Sequence, residues 1–203
     1  IKARSYKLEA RGADQAAVII IDNTQMQILA MAGSIEYGIK KNGYNNGALA
    51  LRSPGSTLKP FAYALALENG YNAASIIPDI EKRFKTNDGT YQPLNFDRTE
   101  YGPVSIRTAL ANSLNLSAVK LLNALGYEKL YNFLNKINLI NFKEKSAEYY
   151  ELGLIVGNPE VNLLQLCEAY ALLANEGSFC RSKFLLDNQE PTKHLQMLTE
   201  QTA

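Results

Sequence analysis

Ser56 and Lys59 stand three residues apart in Arg52-Ser53-Pro54-Gly55-Ser56-Thr57-Leu58-Lys59-Pro60-Phe61. Positions i and i+3 of a helix share one face, so the lysine amine can fold back over the hydroxyl. A serine hydroxyl is a weak nucleophile and needs an adjacent base. The chain has one histidine, His194, so a Ser-His-Asp triad would have to use it; a Ser-Lys pair is the simpler source of an activated nucleophile. Pro54-Gly55 marks a turn. It puts Ser56 in a first helical turn with its hydroxyl facing a cleft, where unpaired N–H groups favour developing negative charge. The spacing recurs in Ser117-Ala118-Val119-Lys120. There it opens an apolar helical pattern whose core face is Val119, Leu121, Leu122 and Leu125, and Ser117 reads as a helix-initiating serine. Pro54-Gly55-Ser56-Thr57 lacks the Gly-Lys-Ser/Thr ending of a phosphate loop.

A second chemical element is Ser113-Leu114-Asn115, 57 residues after Ser56 and the only Ser-x-Asn in the chain. It lies between two apolar helical patterns, Val104 to Leu110 and Leu116 to Leu125. A short connection there can aim a hydroxyl and an amide into one cleft. The hydroxyl can relay a proton, and the amide can donate to and accept from a peptide-like substrate. Taken alone, the tripeptide also fits a cap or a turn. Its order and context beside Ser56-x-x-Lys59 favour the chemical reading.

Together the two motifs resemble the first two active-site motifs of penicillin-binding proteins and serine β-lactamases. The closer resemblance is to the transpeptidase domain of class A bifunctional penicillin-binding proteins, the 1C branch in particular. It rests on Ala48 to Phe61, on Tyr91-Gln92-Pro93-Leu94-Asn95-Phe96-Asp97, on Gly102 to Arg107 and on Asn112 to Val119. It continues through Glu160 to Leu164 and Ala169 to Gly177, and covers about residues 14 to 180. The family's third motif, Lys-Thr-Gly or Lys-Ser-Gly, is absent. Lys41-Asn42-Gly43 is the nearest string, but it precedes the nucleophile and lacks the hydroxyl.

The resemblance implies a serine D,D-transpeptidase acting on D-alanyl-D-alanine stem peptides of peptidoglycan and acylated by β-lactams. Ser56 would be the nucleophile, Lys59 the base, Ser113 the proton relay to the leaving amine, and Asn115 the holder of the substrate amide. No metal or organic cofactor is implied. Related chemistry keeps three alternatives open: a D,D-carboxypeptidase or β-lactamase, a β-lactam sensor without turnover, and an inert structural fragment. In the family a glycosyltransferase domain and a membrane anchor lie upstream, at the periplasmic face of the bacterial inner membrane. Residues 1–203 are expected to form one transpeptidase domain, truncated before the strand that carries the third motif and one oxyanion donor.

The elements that must position these residues suit a mixed α+β fold. Ala16 to Asp22 and Gln27 to Ala32 read as a hairpin around Asn23-Thr24, which in this family joins C-terminal strands in an antiparallel sheet. Without those strands an open edge is expected. Helices are expected over Ser56 to Asn69, bent near Pro60, and over Val104 to Leu110, Leu116 to Leu125, Glu128 to Ile137 and Val161 to Glu176. Gly70, Gly126 and Gly177 read as helix stops. Residues 71 to 102 and Ile35 to Gly47 read as loops.

A 203-residue chain that is 46% apolar can bury one sizeable core. Its net charge of +1 gives no reason to expect a nucleic-acid partner. Its apolar runs are too short to span a bilayer. Cys167 falls on the inner face of a helix with Leu163, Tyr170, Ala171 and Ala174, and reads as a buried structural thiol. Cys180 follows Gly177 in a less regular stretch and reads as exposed, and His194, among polar neighbours, as solvated.

Overall fold

A computed structural model describes residues 12–13, 15–38, 43–87, 89–140, 145–184 and 194–202. Lys41 and Asn42 of the nearest third-motif string and Pro191 to Lys193 beside His194 lie outside them. The fold is α+β, and the chain divides into two compact units. One comprises residues 1–52, 161–197 and 203, and the other 53–160 and 198–202.

In the first unit, β1 (Val18–Asp22) and β2 (Gln27–Ala32) form the expected antiparallel hairpin, with a bulge between Ile20 and Ile21. Asp22 Oδ1 accepts from the Thr24 N–H in its turn. Ile28 is buried, whereas Ile20 and Leu29 are 51% and 61% exposed, so one apolar face of the hairpin is uncovered. Part of the β2 edge is nevertheless paired, through Ile28 N–H to Lys183 O at 2.9 Å and Lys183 N–H to Met26 O at 2.8 Å.

The helix Leu163–Ala174 presents a different face from the one its sequence suggests. Glu168, Ala169, Ala171 and Leu172 are buried, while Tyr170 and Ala174 are exposed. The inward Glu168 is satisfied at Oε1 by the N–H and hydroxyl of Ser182, and a partnered carboxylate can occupy an inner face that apolar periodicity would assign elsewhere. The cysteines change places with it: Cys180 is 2% exposed and Cys167 only half-buried. His194 is exposed, within 3.2 Å of Ser178 Oγ.

The second unit carries both motifs. A 3-10 turn, Gly55–Leu58, runs directly into α1 (Lys59–Glu68). Pro60 therefore falls in the first α-helical turn, where its missing N–H costs nothing, and not inside the helix where it would bend it. Residues 71 to 102, read from sequence as loop, contain β3 (Ile76–Asp79), β4 (Phe84–Thr86) and β5 (Gly89–Tyr91). β3 pairs antiparallel with β6 (Gly102–Ser105), and β4 with β5. Pro78 opposite Pro103 hid the first ladder; a two-stranded pair keeps free edges on which prolines are tolerated.

Three helices follow: α2 (Ile106–Ala111), α3 (Asn115–Leu125) and α4 (Tyr127–Lys136). Ser105 caps α2 by accepting from the Thr108 N–H, and α3 ends at Gly126, whose φ is 85°. The core joins Leu58 and Phe61 to Leu116, Val119 and Leu122 of α3 and to Leu130, Phe133 and Leu134 of α4, all buried. Leu154 and Ile155 of a second 3-10 segment, Glu151–Val156, complete it.

Candidate active site

Ser56 and Lys59 begin their helix in different ways. Ser56 lies in the 3-10 turn and is exposed; Lys59 opens the α-helix and is 1% exposed. The turn is braced from behind. Ser53 Oγ donates to Gly157 O at 2.6 Å, and Thr57 Oγ1 to Pro54 O at 2.7 Å. Gly157 has φ 92°, and a Cβ there would stand 2.3 Å from Gly55 N. Only glycine allows that approach.

Ser113 sits where α2 stops. Its N–H donates to Leu110 O, and the Leu114 N–H reaches back to Ala109 O, both at 3.0 Å. This pairing, with Ser113 at φ 53° and Leu114 buried, is a Schellman stop. Glycine is the usual occupant of its left-handed position, since a side chain there costs ~1–2 kcal/mol. Backbone strain of this kind concentrates at active sites and switch regions, which makes Ser113 a candidate site residue.

Lys59 joins the two motifs. Its Nζ donates to Ser113 O at 2.5 Å, Ser113 Oγ at 3.1 Å and Asn115 Oδ1 at 2.7 Å. Those three bonds use the full donor capacity of an ammonium. Among the described residues no hydrogen bond joins Nζ to Ser56 Oγ, so the lysine leans toward Ser113 and Asn115 in this state. Burial pulls the Lys59 pKa down to about 8, against an opposing pull from the negative charge of Asp79. One turn on, burial and then Asp79 raise the Tyr63 phenol. Its hydroxyl is buried without a partner among the described residues.

Asn115 is half-buried at the first position of α3, and its Nδ2 donates to Leu94 O at 2.9 Å. Each end of its carboxamide keeps one further hydrogen-bonding position. Beside Ser113 an open pocket is lined by Asn95, Phe96, Asp97, Tyr101, Asn112 and Leu114.

Ser117 does not start its helix. Asn115 does, and Ser117 is fully buried, with Oγ donating to Asp79 Oδ1 at 2.7 Å. The matching spacing of Ser117 and Lys120 therefore has a different use from that of Ser56 and Lys59. Asp79 and Gly157 carry no motif and escaped sequence reasoning. Asn95 was visible only as part of the Tyr91 to Asp97 block.

Comparison with known proteins gives a consistent result. The profile of the family described as "Penicillin binding protein transpeptidase domain" matches residues 16–202. The chain is 34% identical over 177 residues to penicillin-binding protein 1C of Escherichia coli, covering 86% of this chain and 22% of that protein. It is 36% identical over 173 residues to penicillin-binding protein 1A of Aquifex aeolicus, covering 84% and 23%. The crystal structure of penicillin-binding protein 1A from Haemophilus influenzae superposes with a TM-score of 0.74 at 25% identity, over 83% of this chain and 25% of that one. The apo transpeptidase-domain structure from Burkholderia pseudomallei penicillin-binding protein 3, at 18% identity, shares the fold with a TM-score of 0.75, over 99% and 64%. The chain thus spans less than a quarter of the length of the curated relatives it matches. It belongs to the transpeptidase domain family of class A penicillin-binding proteins.

Proposed function

We propose that this chain carries the nucleophilic half of a peptidoglycan D,D-transpeptidase site working through a serine acyl-enzyme. The observation that carries the reading is the seating of the buried Lys59 amine on both Ser113 Oγ and Asn115 Oδ1. Two motifs far apart in sequence are thereby held as one unit.

Ser56 Oγ attacks the carbonyl of the terminal D-alanyl-D-alanine bond of a stem peptide, or of a β-lactam that mimics it. Neutral Lys59 accepts the hydroxyl proton once a small movement brings its lone pair to Ser56. A pKa near 8 leaves a useful neutral fraction at physiological pH, whereas a solvated lysine has almost none. Ser113 passes a proton to the leaving D-alanine amine, and Asn115 uses its free amide positions to hold the substrate backbone. The Ser56 N–H, at the head of its helix, gives one oxyanion donor. The acyl group then passes to an amine of a neighbouring stem peptide.

In the whole protein we place this reaction at the periplasmic face of the inner membrane, with the anchor and the glycosyltransferase domain outside this sequence. Its relatives are penicillin-binding proteins, which supports penicillin as a ligand of this site. The test is labelling of the full-length protein with a fluorescent penicillin, followed by denaturing gel electrophoresis. A band in the wild type that vanishes in Ser56→Ala is expected. Equal labelling of both would overturn the assignment of the nucleophile.

A further inference from the structure

We propose that Asp79, a residue outside both motifs, is a positioning residue for this site: it fixes the start of the Asn115 helix over Lys59 and supplies the negative field in which that lysine exchanges its proton. The proposal rests on the serine acyl-enzyme reading above.

The helix Asn115–Leu125 has no side-chain cap of its own, since Leu114 precedes it. Its first N–H groups are nevertheless taken. Asn95 Oδ1 accepts from Asn115 N at 2.7 Å and Leu116 N at 3.2 Å, and Asp79 Oδ1 accepts from Ser117 N at 3.0 Å. Two side chains from other elements thus replace a local cap, and both are buried, Asp79 at 0% and Asn95 at 5% exposure.

They also lock each other. Asn95 Nδ2 donates to Asp79 Oδ2 at 2.7 Å, and that oxygen accepts in addition from Tyr101 N at 3.2 Å. With Ser117 Oγ at 2.7 Å on Oδ1, the carboxylate takes four hydrogen bonds, all from neutral donors. Oriented N–H and O–H dipoles and the positive end of the helix thus surround this buried carboxylate. It stands at the end of β3, opposite Gly102 of β6, so the sheet supports the helix that carries Asn115.

Among the described residues, Asp79 is the charged group whose field reaches Lys59, and it opposes the effect of burial there. The Ser113 turn and the first residue of the Asn115 helix present only neutral acceptors to that amine. Tyr63 on the lysine's own helix and Lys120 on the Asn115 helix feel the same carboxylate. Without Asp79, burial acts on Lys59 unopposed. Its proton would leave at lower pH.

The experiment measures penicillin acylation rates of the full-length protein as a function of pH for wild type, Asp79→Asn and Asn95→Ala. Wild type that is never acylated would sink the acyl-enzyme reading itself, separately from the role of Asp79. With wild type active, Asp79→Asn is expected to be slower by roughly 10- to 100-fold at the plateau, as for a displaced reacting group. Its acidic limb should move to lower pH, which loss of packing alone would not cause. Asn95→Ala keeps the charge and loses the helix contacts, so it should be slow with an unmoved limb. A folded Asp79→Asn enzyme with an unmoved limb would overturn the proposal, whatever its rate. If Asp79→Asn does not fold, Asn95→Ala decides, assayed at a temperature where it is folded: a wild-type rate overturns the proposal, and a slowed rate with an unmoved limb supports it.

Discussion

Lys59 Nζ lies 2.7 Å from Asn115 Oδ1, a contact between residues 56 positions apart in the chain. It makes the lysine a member of the Ser113-x-Asn115 motif as much as of its own. In this structure the amine is engaged by Ser113 and Asn115, and the proposed reaction requires it to be shared with Ser56.

Replacing Lys59 by alanine should slow penicillin acylation by about 100- to 10,000-fold, the value of a positioned general base. In the wild type the rate should rise with pH through a limb near 8, because the reactive form is the neutral amine. Stopped-flow or quenched acylation across pH 6 to ~10 measures both. A limb near the ordinary lysine value would mean that burial does not lower this amine in solution.

Ser113→Gly separates stability from chemistry. At φ 53° glycine is the less strained residue, so the variant should melt no lower than wild type and gain up to ~1 kcal/mol. It loses the hydroxyl, so acylation should fall at least tenfold by the usual worth of a proton-relaying group. Calorimetry and labelling kinetics on one preparation test the pair, and unaltered kinetics would remove Ser113 from the mechanism.

Gly157→Ala should lose about 2 kcal/mol or more, from its left-handed backbone and the contact its Cβ would make with Gly55. Since Gly157 braces the turn that presents Ser56, labelling should fall with stability. Denaturant melts of the variant beside wild type measure the first, and a penicillin gel the second.

Ser117→Ala leaves the Asp79 carboxylate short of one donor and should cost ~1–3 kcal/mol. Covalent labelling should persist, because the Ser117 hydroxyl is buried and cannot reach a substrate. Loss of the labelled adduct from Ser56 in this variant, at a temperature where it is folded, would contradict that division between the two Ser-x-x-Lys strings.

The sequence by itself determined the local pieces. Pro54-Gly55 and the apolar run after it predicted the turn and the helix, and Gly126 marked a helix end that the structure keeps. Those features depend on backbone preferences within a few residues. The hairpin was legible for the same reason, as alternating β-rich segments around a short turn. The short strands between 76 and 105 were not legible, because three or four residues with prolines carry too little periodicity. Nor was the inward face of Leu163–Ala174, where Ser182 satisfies a buried glutamate from outside the helix. At the candidate site, spacing alone brought Ser56 and Lys59 to the head of one helix. Only the tertiary structure decided that the lysine turns toward Ser113 and Asn115, and that Asp79 and Asn95 cap the helix beneath them. Hydrogen bonds between groups tens of residues apart leave no local pattern, since each partner is chosen by where the chain returns in space and not by its neighbours in sequence.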